Sequence, residues 1–422
     1  MKVAMLNTFD GGGGAAIAAG RLFRGIQQKG VEASLLVQFK TGDARDVLCN
    51  DAPWRRMARS LKLYLGLLPV RLYANKPENN FSPALLPDTL IGQLSGLAPD
   101  IVHLHWMAAG FCRVETLAKF NKPLVWTLHD SWAFTGGCHV PFACKKYRER
   151  CGACPVLGSS HQADLSRWTW QRKEKAWRDL NLTVVAPSRW LADCARASAL
   201  FRNLRVETIP NGLDLTRFRP VEKALARDLL GVPQEKKLIL FGAVGGASDR
   251  NKGFHLLLPA LQKVAAAGWK AAAELIIFGA SEPACPPSFG MPARYLGRLH
   301  DDISLVLLYA AADLFVSPSL LENLPNTVME AMACSTPCVA FNQGGMPELI
   351  EHQRTGYLAR PYEIDDLAAG IIQILGDEPG RQEMAQRARR KIEKEFSLDS
   401  VAARYVGLYR EILGNTPGER HD

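Results

Sequence analysis

The chain alternates short apolar runs with longer amphipathic stretches. The runs are rich in Val, Ile and Leu, as are strands buried on both faces of a parallel sheet. In the first half of the chain they lie at residues 3–6, 33–37, 101–104, 124–128 and 183–186. Between them, residues 15–29 and 167–180 carry apolar positions at helical spacing. This alternation predicts an α/β layer architecture with right-handed crossovers.

A second series of the same kind follows residues 210–212. Its predicted strands are 238–241, 274–278, 314–317 and 337–341, and its predicted helices are 254–267, 303–311 and 326–334. The charged stretch 217–234, with two prolines, is predicted as the linker. We therefore expect two doubly wound α/β domains facing each other across a cleft that holds the ligand.

The predicted boundaries divide the chain into three parts. Residues 1–216 form the first domain, with a cysteine-rich insertion at 136–155, and residues 217–390 form the second. Residues 391–422 form a helical segment that packs back toward the first domain, and its end, from residue 414 on, is expected to fray.

Composition narrows the class of protein. The chain has 422 residues, 47% of them hydrophobic, and a formal net charge of +9, which excludes disordered, collagen-like and coiled-coil chains. No apolar run approaches the roughly 18 residues of a membrane span, and no signal peptide is recognisable, so we expect a cytoplasmic protein. The basic charge favours an acidic partner: nucleic acid, an anionic membrane face or a phosphorylated substrate.

Two glutamates carry the most specific chemistry. Glu322 lies in the loop after the predicted strand 314–317, and Glu330 lies eight residues later inside the next helix. Carboxylates at this spacing can hold sugar hydroxyls and a ribose diol, and the first-turn amides of Asn326 and Thr327 are suited to an anion. Taken alone, Glu330 is better explained as an exposed helix charge.

The whole run 317–340 resembles the Glu-x7-Glu signature of family 4 retaining glycosyltransferases, which have the two-domain GT-B fold with Rossmann-like domains. The resemblance implies that Glu322 contacts the donor sugar and Glu330 the nucleotide ribose. It also places Asn323, Leu324, Asn326 and Thr327 in the donor site. The chain departs from the family pattern at 323–326, where many members carry Gly-Phe-Gly. Pro325 has no N–H to offer a phosphate.

Two further segments match the family's phosphate contacts. Arg250 and Lys252 precede a predicted helix, and the resemblance implies that they neutralise the leaving diphosphate, since Arg binds oxygens bidentately and Lys acts as a point charge. Gly13 and Gly14 match the family's Gly-Gly loop, which closes over the donor. Taken alone, Arg250 and Lys252 are explained as a solvated basic pair on the surface, and the glycine segment is explained as a flexible loop.

Histidines follow two of the predicted strands. His129 ends the strand 124–128 and matches the family histidine that lines the sugar site. His103 and His105 lie at the end of the strand 101–104, where they are candidates to face the acceptor. The alternative for each is a structural hydrogen-bonding role.

Four cysteines lie within 17 residues, and the last two form a Cys-x2-Cys knuckle. They are Cys138, Cys144, Cys151 and Cys154. Four thiols with no spare position favour a closed structural zinc site; an iron–sulfur cluster, disulfides and free thiols are the alternatives. The loop also resembles an insertion in the exopolysaccharide, colanic-acid-type subgroup of the family.

Residues 54–68 form an amphipathic pattern. Trp54, Met57, Leu61, Tyr64, Leu65 and Leu68 share one side with Ala58, and Arg55, Arg56, Arg59 and Lys62 share the other. Such a helix either packs its apolar side on the core, with a solvated basic face, or lies on an anionic membrane.

The resemblance implies a retaining, metal-independent hexosyltransferase that uses a nucleotide-diphosphate sugar, with UDP favoured over GDP. Glu322 and His129 would position the sugar at the reacting centre, and the leaving phosphate would take the acceptor proton. The subgroup implies a lipid-linked saccharide acceptor in surface polysaccharide synthesis. The sequence contains no Asp-x-Asp pair for a catalytic cation. The alternatives are a non-catalytic nucleotide-sugar or polysaccharide-binding subunit and an epimerase of similar fold.

Overall fold

The computed structural model describes residues 1–49, 53–73, 81–242, 249–299 and 301–414, without the side chains of 53–56, 58 and 60. The chain divides into two compact units. The first comprises Met1–Gly212 together with Asp399–Asp422, and the second comprises Leu213–Leu398. The sequence had placed the boundaries at residues 217 and 391.

The first unit is built on a seven-stranded parallel sheet in the order β3-β2-β1-β4-β5-β6-β7. Its strands are β1 (Lys2–Phe9), β2 (Glu32–Phe39), β3 (Val47–Leu48), β4 (Ile101–Leu104), β5 (Leu124–Thr127), β6 (Leu182–Ala186) and β7 (Arg205–Thr208). Its helices are α1 (Gly14–Gln28), α2 (Pro53–Arg71), α3 (Leu90–Leu97), α4 (Leu165–Trp177) and α5 (Arg189–Ala197). Every residue of β4, β5 and β6 is buried, as expected for strands covered on both faces.

The second unit is built on a six-stranded parallel sheet in the order β10-β9-β8-β11-β12-β13. Its strands are β8 (Lys237–Gly242), β9 (Ala273–Phe278), β10 (Ala293–Tyr295), β11 (Leu314–Ser317), β12 (Cys338–Phe341) and β13 (Gly356–Ala359). Its helices are α6 (Lys223–Leu230), α7 (Phe254–Val264), α8 (Asp302–Ala311), α9 (Asn326–Ala333), α10 (Met346–Leu349), α11 (Ile364–Gly376) and α12 (Glu378–Glu395). Two apolar clusters cover the two faces of this sheet.

The stretch 217–234 is not the predicted linker. It contains α6, which begins where the Glu222 carboxylate accepts hydrogen bonds from two first-turn amides. Arg227 of this helix is buried and donates to Asp313 Oδ2 at 2.7 Å. The prolines at 220 and 233 flank the helix instead of interrupting it, so they mark its ends.

The last helix, α13 (Leu398–Gly414), belongs to the first unit. Tyr405 and Tyr409 are buried in the apolar cluster that contains Val3 and Ile101 of the sheet. The predicted fraying concerns residue 414, which ends α13, and residues 415–422, which lie outside the described ranges. In the ranges that are described, none of the helices has the length and apolarity needed to cross a bilayer.

Candidate functional site

The second unit brings Lys252 and Glu322 together at the carboxyl edge of its sheet. β8 and β11 are paired neighbours, so the segments that follow them emerge side by side. A short 3₁₀ turn at Arg250–Lys252 carries the lysine. Its Nζ donates to Glu322 Oε1 at 2.7 Å, and the two side chains are 34% and 18% exposed. The charge of Glu322 raises the pKa of Lys252.

Asn251 clamps the loop that carries Glu322. Its side-chain amide donates to the Leu321 carbonyl at 3.0 Å, and its Oδ1 accepts from the Leu321 amide at 3.2 Å. Its backbone carbonyl also accepts from the Leu320 amide at 2.8 Å. These three hydrogen bonds fix the lysine turn and the glutamate loop relative to each other. The sequence showed Asn251 between two candidate cations but gave no signal for this role.

Two glycines allow the close approach of these segments. Gly253 has a φ of +71°, and a Cβ there would lie 1.8 Å from the Pro318 carbonyl oxygen. Gly344 has a φ of +62°, and a Cβ there would lie 2.2 Å from the Glu322 carbonyl oxygen, which also accepts from the Gly345 amide at 2.9 Å. Only glycine combines this backbone conformation with this space. Sequence reasoning did not identify Gly344.

The helix α9 begins directly after the glutamate loop. Pro325 is its N-cap and supplies no capping side chain, so no side chain at that position competes for the first-turn amides. Thr327 is half-buried and Asn326 is buried at 9% exposure. The Leu324 side chain packs in the apolar cluster of this unit, so only its backbone is suited to a ligand contact.

Glu330 is buried at 3% exposure, and its Oε2 accepts a hydrogen bond from the Tyr309 hydroxyl at 3.0 Å. The interpretation of Glu330 as an exposed helix charge is therefore wrong. Burial of a carboxylate is costly unless it is hydrogen-bonded, and Tyr309 on α8 meets part of that requirement. The sequence gave no signal for this tyrosine.

Arg250 is separate from this pair. Its side chain is exposed, and across the described ranges it forms no ion pair. Asp249 stabilises the turn instead, because its carboxylate accepts from the Asn251 amide at 2.9 Å. Residues 243–248, between β8 and this turn, lie outside the described residues.

In the first unit the glycine loop and two histidines follow three adjacent strands, β1, β4 and β5. Gly13 is the N-cap of α1 in an extended conformation, and Gly14 is the first residue of the helix. A Cβ at Gly13 would meet nothing within 4 Å, so the backbone is open to a ligand at this point.

His129 follows β5, and its Nε2 lies 2.9 Å from His105 Nδ1. His105 is 2% exposed, whereas His129 is half-buried. Behind them His103 is fully buried, and its two ring nitrogens bond to the Tyr409 hydroxyl at 2.6 Å and the Thr127 hydroxyl at 2.8 Å. The suggestion that His103 faces an acceptor is therefore wrong, because both ring nitrogens are occupied inside the unit.

Burial keeps these three imidazoles neutral. It lowers the pKa of His103 to about 3 and that of His129 to about 4, where the Asp130 charge opposes it. Burial, with the neighbouring histidines, also lowers the pKa of His105 well below its usual value. Desolvation penalises the charged form of each ring.

We expect the protein to lose stability as the pH falls from 7.5 to 5.5. In this window the unfolded chain protonates these histidines, whose usual pKa is about 6.5, while the folded chain does not. Each of the three then lowers the free energy of unfolding by about 1.4 kcal/mol, or about 4 kcal/mol together. Urea unfolding at both pH values measures the difference. His103→Gln should reduce this difference in the free energy of unfolding by about a third, and replacement of the exposed His161 should not. An equal difference between the two pH values in all three proteins would contradict the account.

Asp130 organises the loop beyond His129. Its Oδ2 lies 2.6 Å from His139 Nδ1 and accepts from the Trp106 indole at 2.7 Å, and its Oδ1 accepts from the Trp132 amide at 2.8 Å. Ser82 Oγ lies 2.9 Å from the other ring nitrogen of His139. Burial opposes ionisation of Asp130, but these partners hold its pKa below the usual range. Neither Asp130 nor His139 was identified from the sequence.

The four cysteines of the insertion line one cavity. Three are buried and Cys144 is half-buried, and all four are free thiols. Burial raises the pKa of Cys138 and Cys154, and that of Cys151 to about 12. Among the described residues, which include all four cysteines, no group of three or more metal-ligating side chains is arranged to hold an ion. The structure therefore gives the predicted metal site no support.

A buried lysine lies beside these thiols. Lys173 on α4 donates to the carbonyls of Trp132 and Thr135, and its Nζ lies 3.8 Å from the centre of the Trp132 ring. Burial lowers its pKa to about 7, with the neighbouring thiols Cys151 and Cys138 opposing the shift. The sequence gave no signal for this group, because the lysine lies in an ordinary helical pattern.

The helix α2 has the opposite orientation to the one expected for a core-facing helix. Its apolar stripe is exposed: Met57 75%, Leu61 56%, Tyr64 49%, Leu65 40% and Leu68 41%, continued by Leu72 at 85%. Arg59 instead donates to Cys49 Sγ at 3.3 Å, and Lys62 is half-buried against Gly110. Trp54, Arg55, Arg56 and Ala58 of the predicted pattern have side chains outside the described set.

Comparison with known proteins identifies two glycosyltransferase families and related glycosyltransferases. The family described as "Glycosyltransferase Family 4" matches residues 12–217, and the family "Glycosyl transferases group 1" matches residues 237–377. A D-inositol 3-phosphate glycosyltransferase 2 from Catenulispora acidiphila is 32% identical over 94% of this chain and 90% of its own length. An uncharacterized glycosyltransferase from Methanocaldococcus jannaschii is 30% identical over half of this chain, and the match spans 56% of that relative.

Solved structures share the fold at low identity. Sucrose-phosphate synthase from Thermosynechococcus elongatus superposes with a TM-score of 0.72 at 19% identity, covering 98% of this chain and 100% of its own. The HepE protein of Anabaena in complex with UDP-glucose gives a TM-score of 0.63 at 18% identity, with coverages of 97% and 100%. Both likenesses extend over the two parallel-sheet units, as expected for the GT-B fold.

Proposed function

This chain belongs to glycosyltransferase family 4, and from that premise we propose that it transfers a hexose-type sugar from a nucleotide-diphosphate sugar to a saccharide acceptor, with retention of anomeric configuration. The observation that carries the proposal is the pairing of Lys252 with Glu322 at 2.7 Å, beside the first turn of α9. A cation for the diphosphate and a carboxylate for the sugar hydroxyls are thus held in one place.

In this proposal the diphosphate of the donor separates the pair. Lys252 and the exposed Arg250 meet the charge that develops on the leaving group, together with the first-turn amides of α9 and the Gly13–Gly14 backbone. Such charge stabilisation, aimed at the transition state, needs no catalytic metal. We propose that Glu322 and His129 each contact the sugar, and that the buried carboxylate of Glu330 binds the ribose diol.

We propose a UDP-sugar as donor, because proteins of this fold such as HepE have been solved with UDP-glucose, with a GDP-sugar as the second candidate. The test is incubation with a panel of radiolabelled nucleotide sugars and an extract of lipid-linked saccharides. We expect transfer from one donor class, with an α-linked product from an α-linked donor by NMR. An inverted product would refute retention, and conversion of the donor sugar without any acceptor would favour an epimerase.

We further propose that the acceptor is lipid-linked, in surface polysaccharide synthesis, and that α2 seats the protein on the inner face of the cytoplasmic membrane. Six large apolar side chains in one exposed stripe suit the interfacial region of a bilayer. Arg59 and Lys62 face the protein, so this attachment depends mainly on apolar insertion, with Arg71 and the overall charge of +9 favouring anionic lipid.

Replacement of Leu61 and Leu65 by serine should abolish flotation with vesicles that contain phosphatidylglycerol. The wild-type protein should float, and should keep part of its binding in 0.5 M salt, because salt screens charges but not apolar insertion. The matched control is Leu225→Ser with Leu229→Ser on α6, which removes two leucines that are 50% and 63% exposed and should leave flotation unchanged. A wild-type protein that stays in solution at low salt would refute membrane seating.

We retain a structural zinc ion in the four-cysteine loop as a proposal. What supports it is the donor set, since four thiols line one cavity and thiolates are preferred zinc ligands. Binding would require the sulfurs to converge and lose their protons. Metal analysis after a chelator wash should return one zinc per chain, and Cys151→Ser with Cys154→Ser should return none. If the wild-type protein contains no metal and all ten of its cysteines react as thiols, the zinc proposal is wrong and the cysteines are free.

A further inference from the structure

The pair formed by His105 and His129 has a feature that the proposed sugar site does not use. The two rings stack with centroids 5.2 Å apart, and a single hydrogen bond of 2.9 Å joins His105 Nδ1 to His129 Nε2. Burial disfavours the charged form of both rings. A neutral imidazole carries one N–H, so one ring donates in this contact and the other accepts.

The surroundings of His105 decide which ring donates. Its other nitrogen, Nε2, is buried without a hydrogen-bond partner among the described residues. If His129 donated, His105 would carry its proton on Nε2, where it would be a buried N–H without an acceptor. If His105 donates from Nδ1, Nε2 is only a lone pair without a donor. Orphaned buried N–H groups are the rarer and costlier of the two.

We propose that His105 is a positioning residue that fixes His129 as the Nδ1–H tautomer. His129 Nε2 is then committed as an acceptor, and Nδ1–H is left as the donor. No hydrogen bond to His129 Nδ1 is formed within the described part of the chain. That N–H is thereby presented to an acceptor oxygen of the ligand, a hydroxyl of the sugar; this last step rests on the proposed function.

The cavity beside the pair agrees with this assignment. It is lined by both histidines together with Trp106 and Asp130. Asp130 is bonded to Trp106, His139 and the Trp132 amide, so its carboxylate does not compete for the His129 proton. His103 packs on the far side of His105 at 4.3 Å between ring centroids and has both nitrogens occupied, so it cannot supply a proton acceptor for His105 Nε2.

The direct test is ¹⁵N NMR of selectively histidine-labelled protein at pH 7, with assignments from single His→Gln variants. Long-range ¹H–¹⁵N correlations separate the two tautomers, and we expect Nδ1–H for both His105 and His129. An Nε2–H tautomer at His129 would overturn the proposal whatever the enzyme does. This spectrum is independent of catalysis, so it stands even if the protein proves not to transfer sugars.

The functional test compares His105→Leu with His105→Asn, whose side-chain amide supplies a donor near the position of Nδ1. The leucine variant should lower kcat/KM about tenfold, the value of one neutral hydrogen bond, and move the acidic limb of the pH profile upward. The asparagine variant should restore both. The control His103→Leu should reduce stability but leave the tautomer of His129 unchanged. Equal loss in both His105 variants, with an unmoved pH profile, would contradict the positioning role.

Discussion

Replacement of Glu322 by glutamine is expected to reduce sugar transfer about 10²–10³-fold, the usual cost of removing one group that stabilises the transition state. Glutamine has nearly the same shape, and the loop itself is held by the Gly345 amide and by Asn251, which contact backbone atoms. The fold and the loop should therefore survive. What is lost is the negative charge that pairs with Lys252 and accepts from sugar hydroxyls.

The control for this variant is Glu351→Gln. Glu351 is 36% exposed and pairs with Lys391 at 3.1 Å and with Arg354 at 3.0 Å. The control variant therefore also loses a carboxylate that is paired with cations. We expect transfer within about twofold of the wild type, because a surface ion pair contributes about 0–1 kcal/mol and lies outside the site. Initial rates at saturating donor, with melting temperatures for each protein, make the comparison. Full activity in Glu322→Gln would refute the assigned role.

Replacement of Gly253 by alanine is expected to weaken donor binding at least tenfold and to lower the free energy of unfolding by about 1–3 kcal/mol. The added Cβ would lie 1.8 Å from the Pro318 carbonyl oxygen, so the turn that carries Lys252 has to move away from the glutamate loop. That movement breaks the Asn251 clamp and the ion pair together.

Gly231→Ala separates the steric effect from the backbone effect. Gly231 ends α6 with a φ of +61°, close to that of Gly253, but a Cβ there would meet nothing within 4 Å. It should cost only the left-handed backbone penalty of about 1 kcal/mol and leave donor binding intact. Urea unfolding and isothermal titration with the nucleoside diphosphate give the two readouts. Equal binding losses in both variants would show that the clash is irrelevant to the site.

Much of the architecture could be predicted from the sequence, because buried parallel strands are continuous apolar runs. The predicted helix 326–334 corresponds to α9 (Asn326–Ala333), and the run 314–317 is β11. The runs 238–241 and 314–317, which precede Lys252 and Glu322, were also predicted as strands, but their pairing as neighbours is seen only in the structure. The helical register also placed the apolar stripe of α2 on one side.

The direction in which that stripe faces could not be predicted. A periodic pattern defines two sides of a helix but does not say which one contacts the protein, and in α2 the basic side does. Asn251, Gly344 and Tyr309 were not identified for a different reason. Their roles are contacts with backbone or carboxylate groups that lie 21 to 70 residues away along the chain. The hydrophobic pattern of a short sequence segment carries no information about partners that are distant in the sequence.

The measurement that tests the central claim most directly is the binding of UDP, GDP, ADP and CMP to the wild-type protein and to Lys252→Met, without added metal. Lys263→Met is the matched control, because Lys263 pairs with Asp365 at 2.8 Å on the surface of α7. We expect one nucleoside diphosphate to raise the melting temperature, with about 2.7 kcal/mol of stabilisation at a hundred times its dissociation constant. The shift should be lost in Lys252→Met and kept in Lys263→Met. No shift with any nucleotide, or an equal shift in all three proteins, would contradict the proposed donor site.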